Sequence, residues 1–358
     1  MKRIDKYVGV NFLMTFFFII ALLLIITIVI DLTDKIDNML EYKVSLFESV
    51  RYYLNYIPYI ISLLAPLFVF ISVIFFTSRL TERSEVIAMI SGGVNFYRLL
   101  LPFMGAAFFI AALLFVNNHF IAPIGNKYLL DFKYKYLDPD EYLTQVNSIN
   151  LQTPNGELIY VSNFNFNNNT GYKFQLDRFE GKKVDYRLRA RSLFYVDSTD
   201  QWKVRDYLER KIEDENETLN KGNLMDIDIG LIPEDFRMLV TDREKLTTPE
   251  LNRQLQREKQ KGSKIVQFYQ VEKHKRTAIP VSVLILTLIG VSISSKKRRG
   301  GIGMNLAFGM LISAVFVLSM NFTETIAENT GASSSLSVWV PNMIFGILAL
   351  ILMLRAQK

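Results

Sequence analysis

The sequence predicts an α-helical membrane protein: six transmembrane helices in a three-plus-three plan around one inserted, extramembrane, all-β domain. Three observations predict it. Three long apolar segments lie before about residue 122, and three more lie after about residue 277. The stretch between them is polar and alternates like strands. The basic residues of the short connections all fall on one side of the six crossings. A hydrocarbon core about 30 Å thick takes about 20 apolar helical residues to cross. Lipid offers the backbone no hydrogen bonds, so each crossing must be a closed helix.

Taken in order, the first span runs roughly from Tyr7 to Ile30 and carries the run Phe16-Phe17-Phe18-Ile19-Ile20. It exceeds a typical signal-peptide core, and Thr27 to Thr33 has no small-x-small cleavage pattern, so it is expected to stay in the protein. The second runs from Leu54 to Phe76 with Pro58 and Pro66 inside it, and the third from Leu99 to Ile121, starting near Pro102. The fourth covers Thr277 to Ser294, the fifth Ile302 to Phe322 and the sixth Val338 to Leu354. Proline inside a span kinks the helix, and neighbouring helices can satisfy the freed backbone groups. Charges are nearly absent from all six over lengths that buried helices of soluble proteins rarely sustain.

The connections orient the chain. Lys2, Arg3 and Lys6 precede span one; Arg79, Arg83 and Arg98 lie between spans two and three. Lys296, Lys297, Arg298 and Arg299 lie between spans four and five, and Arg355 and Lys358 end the chain. The opposite short loops are acidic, with Asp31, Asp34, Asp37, Glu41 and Glu48 before span two and Glu324 and Glu328 after span five. Basic loops stay in the cytoplasm, which predicts both termini cytoplasmic and the large middle domain outside. The net charge of +6 therefore reports topology and not nucleic-acid binding. Cysteine is absent, which excludes disulfides and thiolate metal sites.

The domain boundaries follow: 1–122 holds the first three helices, 123–272 the extramembrane domain and 273–358 the last three helices. Within the middle domain, Val184, Tyr186, Leu188 and Ala190 share one strand face while Asp185, Arg187, Arg189 and Arg191 share the other. Residues 157–166 and 173–179 are further β-rich runs, separated by the turn clusters Pro154-Asn155-Gly156, 167–171 and Glu180-Gly181. Short strands with such punctuation suggest a sandwich, barrel or jelly roll. A helical return segment is expected over about 248–262, with Thr248 as N-cap, Pro249 at the first helical position and Gly262 closing it.

No catalytic, cofactor or metal site is expected. The only histidines are His119 and His274, and there is no HExxH, GxSxG or Walker A pattern. Gly300-Gly301-Ile302-Gly303 joins two spans and reads as a basic hairpin rather than a phosphate loop. The loop between spans two and three is more informative. A cytoplasmic helix over about 79–93 would carry Glu82, Glu85, Val86 and Met89 on one face, beside Arg83, with Gly92 and Gly93 as its stop. Such a helix either docks into a groove on a cytoplasmic partner or rests on headgroups. Its two carboxylates disfavour anionic lipid.

Taken together, several segments resemble the LptF/LptG (YjgP/YjgQ) permease family of the lipopolysaccharide export ABC transporter. They are the three-plus-three plan, the loop 83–93 (Arg-Ser-Glu-Val-Ile-Ala-Met-Ile-Ser-Gly-Gly), the return segment 269–280 from Tyr269 to Pro280, and the basic-glycine turn from Lys296 to Gly303. The opening Lys2-Arg3-Ile4-Asp5-Lys6-Tyr7 and the Phe-rich first span look most like Bacteroidetes versions.

The resemblance implies an inner-membrane permease without ATPase activity of its own. It would pair with a paralogous LptF/LptG permease as a heterodimer and sit on an LptB-like ATPase dimer. Lipopolysaccharide would pass through a periplasmic β-jelly roll to an LptC-like bridge protein. It makes the 79–93 segment the coupling helix, with the acidic coupling position on Glu85 and Glu82 as second candidate. It places a lipid cavity along spans one and five, where Phe12, Phe16, Phe17, Phe308, Val315 and Phe316 are candidate lining residues. Ordinary lipid-facing or helix-packing roles compete for each of them. The basic residues that hold lipid phosphates in relatives are matched here only by Lys35 and Lys43 among several acids. Lys35 is therefore either a phosphate contact or a snorkelling interfacial charge. Two other functions fit the residues. One is an ABC-type subunit that transmits ATPase motion without moving lipid. The other is an envelope enzyme built on Glu272 and His274.

Overall fold

The computed structural model describes residues 3–137, 146–153, 156–166, 168–180, 183–196, 200–213, 216–233, 236, 240–260, 266–296, 301–329 and 334–356. The expected Pro154-Asn155 turn, Gly181, Gly262, residues 297–300 and the extreme termini lie outside them. The chain divides into two compact units. One comprises Met1–Phe132, Arg243–Leu251 and Gln267–Lys358; the other comprises Lys133–Asp242 and Asn252–Val266.

Six helices of the first unit are long and apolar enough to span a membrane. They are α1 (Arg3–Glu41), α2 (Leu46–Glu82), α4 (Phe96–Val116, continued through a π-turn over Asn117–Ile121 into α5, Ala122–Phe132), α7 (Val266–Ser294), α8 (Gly301–Asn329) and α9 (Ser334–Ala356). All six expected spans are present, and most are longer than their apolar cores. The 39 residues of α1 rise ~58 Å at ~1.5 Å each, well beyond a ~30 Å core. Its polar end stays helical because no Gly or Pro interrupts it, and an i,i+4 pair, Lys35 to Asp31 at 2.5 Å, supports it. Lys43, at φ 50, follows α1; its N–H bonds the Leu40 carbonyl and the Val44 N–H bonds the Met39 carbonyl, which closes the helix. Glu324 and Glu328, expected in a loop, lie inside α8.

Small residues allow close helix contacts. A Cβ on Gly290 of α7 would come within 2.7 Å of Val73 Cγ1 of α2, and one on Gly309 of α8 would collide with Ile74 Cδ1. Around these contacts Phe70, Ile74, Leu286, Ile289, Phe316 and Phe345 form a buried cluster. Association in lipid rests on this kind of packing, since burial from water contributes nothing there.

The second unit contains a six-stranded antiparallel sheet in chain order: β1 (Val146–Gln152), β2 (Leu158–Asn165), β3 (Thr170–Glu180), β4 (Lys183–Val196), β5 (Gln201–Glu213) and β6 (Asn216–Ile227). The inserted all-β unit is thus present. Among the described residues it is an open meander, and no pairing joins β6 back to β1 as a closed barrel would require. The alternation read in β4 sets its face: Ala190 lies opposite Phe174, which lies opposite Val161, and Leu188 lies opposite Leu176. All five are buried on one side. On the other side Arg187 Nε donates to Asp177 Oδ1 at 2.6 Å across the ladder. Trp202, Phe164 and Phe236 close the core, with Phe164 stacked on Phe236 at 4.7 Å and Trp202 Nε1 donating to the Leu231 carbonyl at 2.7 Å. Tyr186, at the core margin, has its phenol pushed up to about 12 by burial, then by Glu209.

A polar helix, α6 (Thr248–Gln260), follows a 3-10 turn over Val240–Lys245. Its cap differs from expectation by one residue. Thr247 N–H and hydroxyl both donate to Glu250 Oε2, at 2.8 and 2.7 Å, and Leu251 N–H bonds the Thr247 carbonyl. Thr247 is therefore the N-cap, with the Glu250 side chain reaching back to its N–H as one half of a capping box does, and Pro249 sits second in the helix. The hydroxyl of Thr248 is left available for other partners.

Candidate functional site

The connection between α2 and α4 is built from two breaks. The first is at Arg83–Ser84, where Ser84 adopts a left-handed backbone at φ 60. A seven-residue helix, α3 (Glu85–Ser91), follows. Gly93 at φ 83 ends it, with its N–H on the Ile90 carbonyl and the Val94 N–H on the Met89 carbonyl. That pair of bonds is a Schellman stop, and the positive φ favours glycine. Asn95 then caps α4 through the Tyr97 N–H.

The first break changes the sequence reading of this loop. Glu82 is the last residue of α2, so Glu82 and Glu85 do not share one helix face. The exposed Glu82 carboxylate lies 3.8 Å from where a Cβ on Gly301 would stand. Glu85 is half-buried and accepts from the Tyr7 hydroxyl of α1 at 3.0 Å. Val86 is turned inward and is 1% exposed, and Met89 is half-buried. Arg83 is exposed, and the apolar side chains facing out are Ile87 and Ile90, at 44% and 46%. The sequence reading missed these two, although their i,i+3 spacing on a short polar-flanked helix was available as a signal.

The cavity candidates separate into two groups. Phe12, Phe16 and Phe316 are buried: Phe12 packs on Phe76 and Phe103 with ring centroids at 6.1 and 5.6 Å, and Phe316 meets Phe345 edge-on at 5.0 Å. Phe17, Phe308 and Val315 are exposed. Lys35 is engaged within the chain. Its Nζ donates to Asp31 at 2.5 Å and to the Tyr52 hydroxyl at 2.6 Å, and it lies over the rings of Tyr52 and Tyr56.

A second constellation, not singled out from sequence, sits where the 3-10 turn and α6 meet α7 and α8. Arg276 is 3% exposed. Its Nε donates to Glu272 Oε1 at 2.7 Å, Nη1 to the Leu246 carbonyl at 2.8 Å, and Nη2 to the Arg243 carbonyl at 3.2 Å. The Thr248 hydroxyl lies 3.4 Å from Nη1 and 2.8 Å from His119 Nδ1, and His119 stacks on Phe115 at 4.0 Å. Arg243 is paired with Glu328 and lies 3.7 Å from Glu324, which accepts from Lys275 at 2.9 Å. Glu324 and Glu328, expected in an acidic loop, thus neutralise two cations, Arg243 and Lys275. A cavity of about 120 Å³ adjoins this network, lined by Asn118, Glu244, Lys275, Phe316 and Asn321 among others. Half-buried Glu244 has its pKa raised by burial first and by Glu272 next, against the opposing Lys275 and Arg243. Glu272 and His274 do not form an acid–imidazole pair: Glu272 serves Arg276, and residues two apart on a helix do not face each other.

A membrane bundle of six spans, an inserted antiparallel sheet and a short two-break connection with an outward apolar pair form one pattern. The sequence matches the family described as Lipopolysaccharide export system permease LptF/LptG over residues 6–355. The chain belongs to the LptF/LptG family. Membership makes this LptF/LptG chain a multi-pass membrane subunit of a lipopolysaccharide export transporter. No curated protein matches it.

Proposed function

We propose that this chain takes lipopolysaccharide from the outer leaflet of the inner membrane and passes it toward a periplasmic LptC-like bridge, driven by a separate cytoplasmic LptB-like ATPase dimer. It does so beside a paralogous permease, with both termini cytoplasmic and the sheet unit in the periplasm. The observation that carries this reading is α3. It is a short helix with Ile87 and Ile90 facing out beside Glu82 and Arg83, held to α1 through Tyr7 and Glu85. An apolar pair rimmed by charges suits a groove on a partner, and the Tyr7 bond links that docking element to the first span. The uncovered flanks of α1 and α8 support a lipid path: only 11% and 22% of their most apolar windows are buried, against 72% for α7. Removing a many-chained lipid from hydrocarbon costs about 0.8 kcal/mol per CH₂, which is why an external energy source is needed.

The test is co-purification with the ATPase and export of lipid. In the docked complex Glu85 would be covered against a basic residue of the ATPase, and loss of one partner of such a buried charge pair costs about 2–5 kcal/mol, so Glu85→Ala is expected to weaken ATPase association or uncouple hydrolysis from export, with Glu82→Ala milder. Tyr7→Phe separates the internal bond from the external one. It should leave association intact and lower export. Assembly and export at wild-type levels in both Glu85→Ala and Glu85→Lys would return α3 to an interfacial helix. Lipopolysaccharide in the purified complex distinguishes transport from motion transmission alone.

A further inference from the structure

A groove between α1 and α4 lies apart from these sites. Its volume is about 460 Å³, and it runs from Asp5 to Leu13 on α1 and from Arg98 to Phe109 on α4. That size falls in the ~300–1,000 Å³ range of ordinary ligand sites. Small residues keep it open: Gly9 and Gly105 line it, and a Cβ on Gly105 would meet nothing within 4 Å. One end is charged. Lys6 is exposed, and Arg98 donates from one Nη to Asp5 at 2.6 Å, while a guanidinium has five donors in all. Beyond that end the walls are apolar, with Val10, Leu101 and Phe109.

The dimensions and the charge together select an occupant. At ~1.5 Å per residue the groove spans roughly 12–17 Å, about half of a ~30 Å hydrocarbon core. A transmembrane helix from another subunit would need matching surface through the whole thickness. A single leaflet's depth, apolar along its length and net positive at its mouth, where Lys6 and Arg98 outnumber Asp5, fits a lipid tail with an anionic head; basic pockets between transmembrane helices hold such headgroups. We propose that this groove binds an anionic phospholipid of the leaflet in which α1 begins, one acyl chain lying between α1 and α4 and the phosphate held by Lys6 and Arg98. The proposal rests on membrane insertion alone and not on lipopolysaccharide export.

The test uses the purified complex containing the full chain, equilibrated with nanodiscs of defined phosphatidylglycerol and phosphatidylcholine content and then released for native mass spectrometry. The wild-type complex is expected to retain phosphatidylglycerol in preference to phosphatidylcholine. Gly105→Leu starts from a Cβ that meets nothing within 4 Å and fills the groove with its side chain, so the retained lipid should be lost. Lys6→Gln, at an exposed position that does not disturb folding, should lower the preference roughly fivefold, which is what one basic residue near an anionic surface contributes. Equal retention of phosphatidylglycerol in wild type and Gly105→Leu would overturn the proposal. So would loss of a protein subunit from Gly105→Leu with lipid retained, which would make the groove a protein interface. If Gly105→Leu does not fold, an unchanged lipid preference in Lys6→Gln overturns the proposal by itself. ATPase association through α3 should be unaffected in both variants, so failure here leaves the export reading standing.

Discussion

Arg276 shows how much one side chain can organise at the end of a membrane helix. It gathers Glu272, two backbone carbonyls and the Thr248 hydroxyl, joining the returning chain to α7. Removing one member of a buried ion pair costs about 3–5 kcal/mol, because the other charge stays buried without a partner. Arg276→Met should therefore lower the midpoint of thermal unfolding in detergent sharply, and adding Glu272→Gln to it should restore part of the loss. Equal stability of wild type and Arg276→Met would mean that Glu272 reaches water. Glu244 permits a pH test. Its folded pKa is raised above the unfolded value, so its contribution to stability is fully present below the unfolded pKa and is lost as pH rises through the folded one. Glu244→Gln should be more stable than wild type at alkaline pH, and the difference should vanish as pH falls to about 4.3, the ordinary value for Glu. A pH-independent difference would assign the effect to packing.

The elements meet through small residues and broken helices. Gly290 faces Val73 Cγ1 at a distance no real Cβ tolerates, and Val73 Cβ stands only 3.2 Å away, so the branched side chain has little room to retreat. Gly290→Leu should separate α2 from α7 and destabilise the bundle by about 1–3 kcal/mol, the usual range for overpacking. Gly303 in the first turn of α8 has open space where its Cβ would be, and Gly303→Ala should be neutral or stabilise by up to about 1 kcal/mol through helix propensity. Thermal unfolding of the two variants side by side checks both, and a mild Gly290→Leu would show that the crossing adjusts. The break at Arg83–Ser84 belongs to this scale too. It removes Glu82 from the helix that carries Glu85, and it directs Ile87 and Ile90 outward while Val86 packs inside. No Gly or Pro marks it in the sequence.

For the molecule as a whole, orientation is the open test. Four basic clusters share one side of the six crossings, so reporter fusions at Gly171 should read as periplasmic and fusions after Lys358 as cytoplasmic. The reverse pattern would invert the topology, and with it the placement of α3 on the ATPase side. The six spans, the insertion of a β unit between the third and fourth and the β4 face are all legible in the amino-acid order. Each of those is a local sum, such as twenty apolar residues or a period of two, and needs no knowledge of what lies across the fold. Which charges meet, which aromatics are buried and where the loop helix begins depend on packing across the fold. Arg243 finds Glu328 across 85 positions, and the Thr248 hydroxyl finds His119 across 129. Phe12 is buried and Phe17 is exposed, although both stand in one apolar run. In a span that is apolar all round, no polar face records which side will meet another helix, so the rotation of each helix is set by the packing of its neighbours.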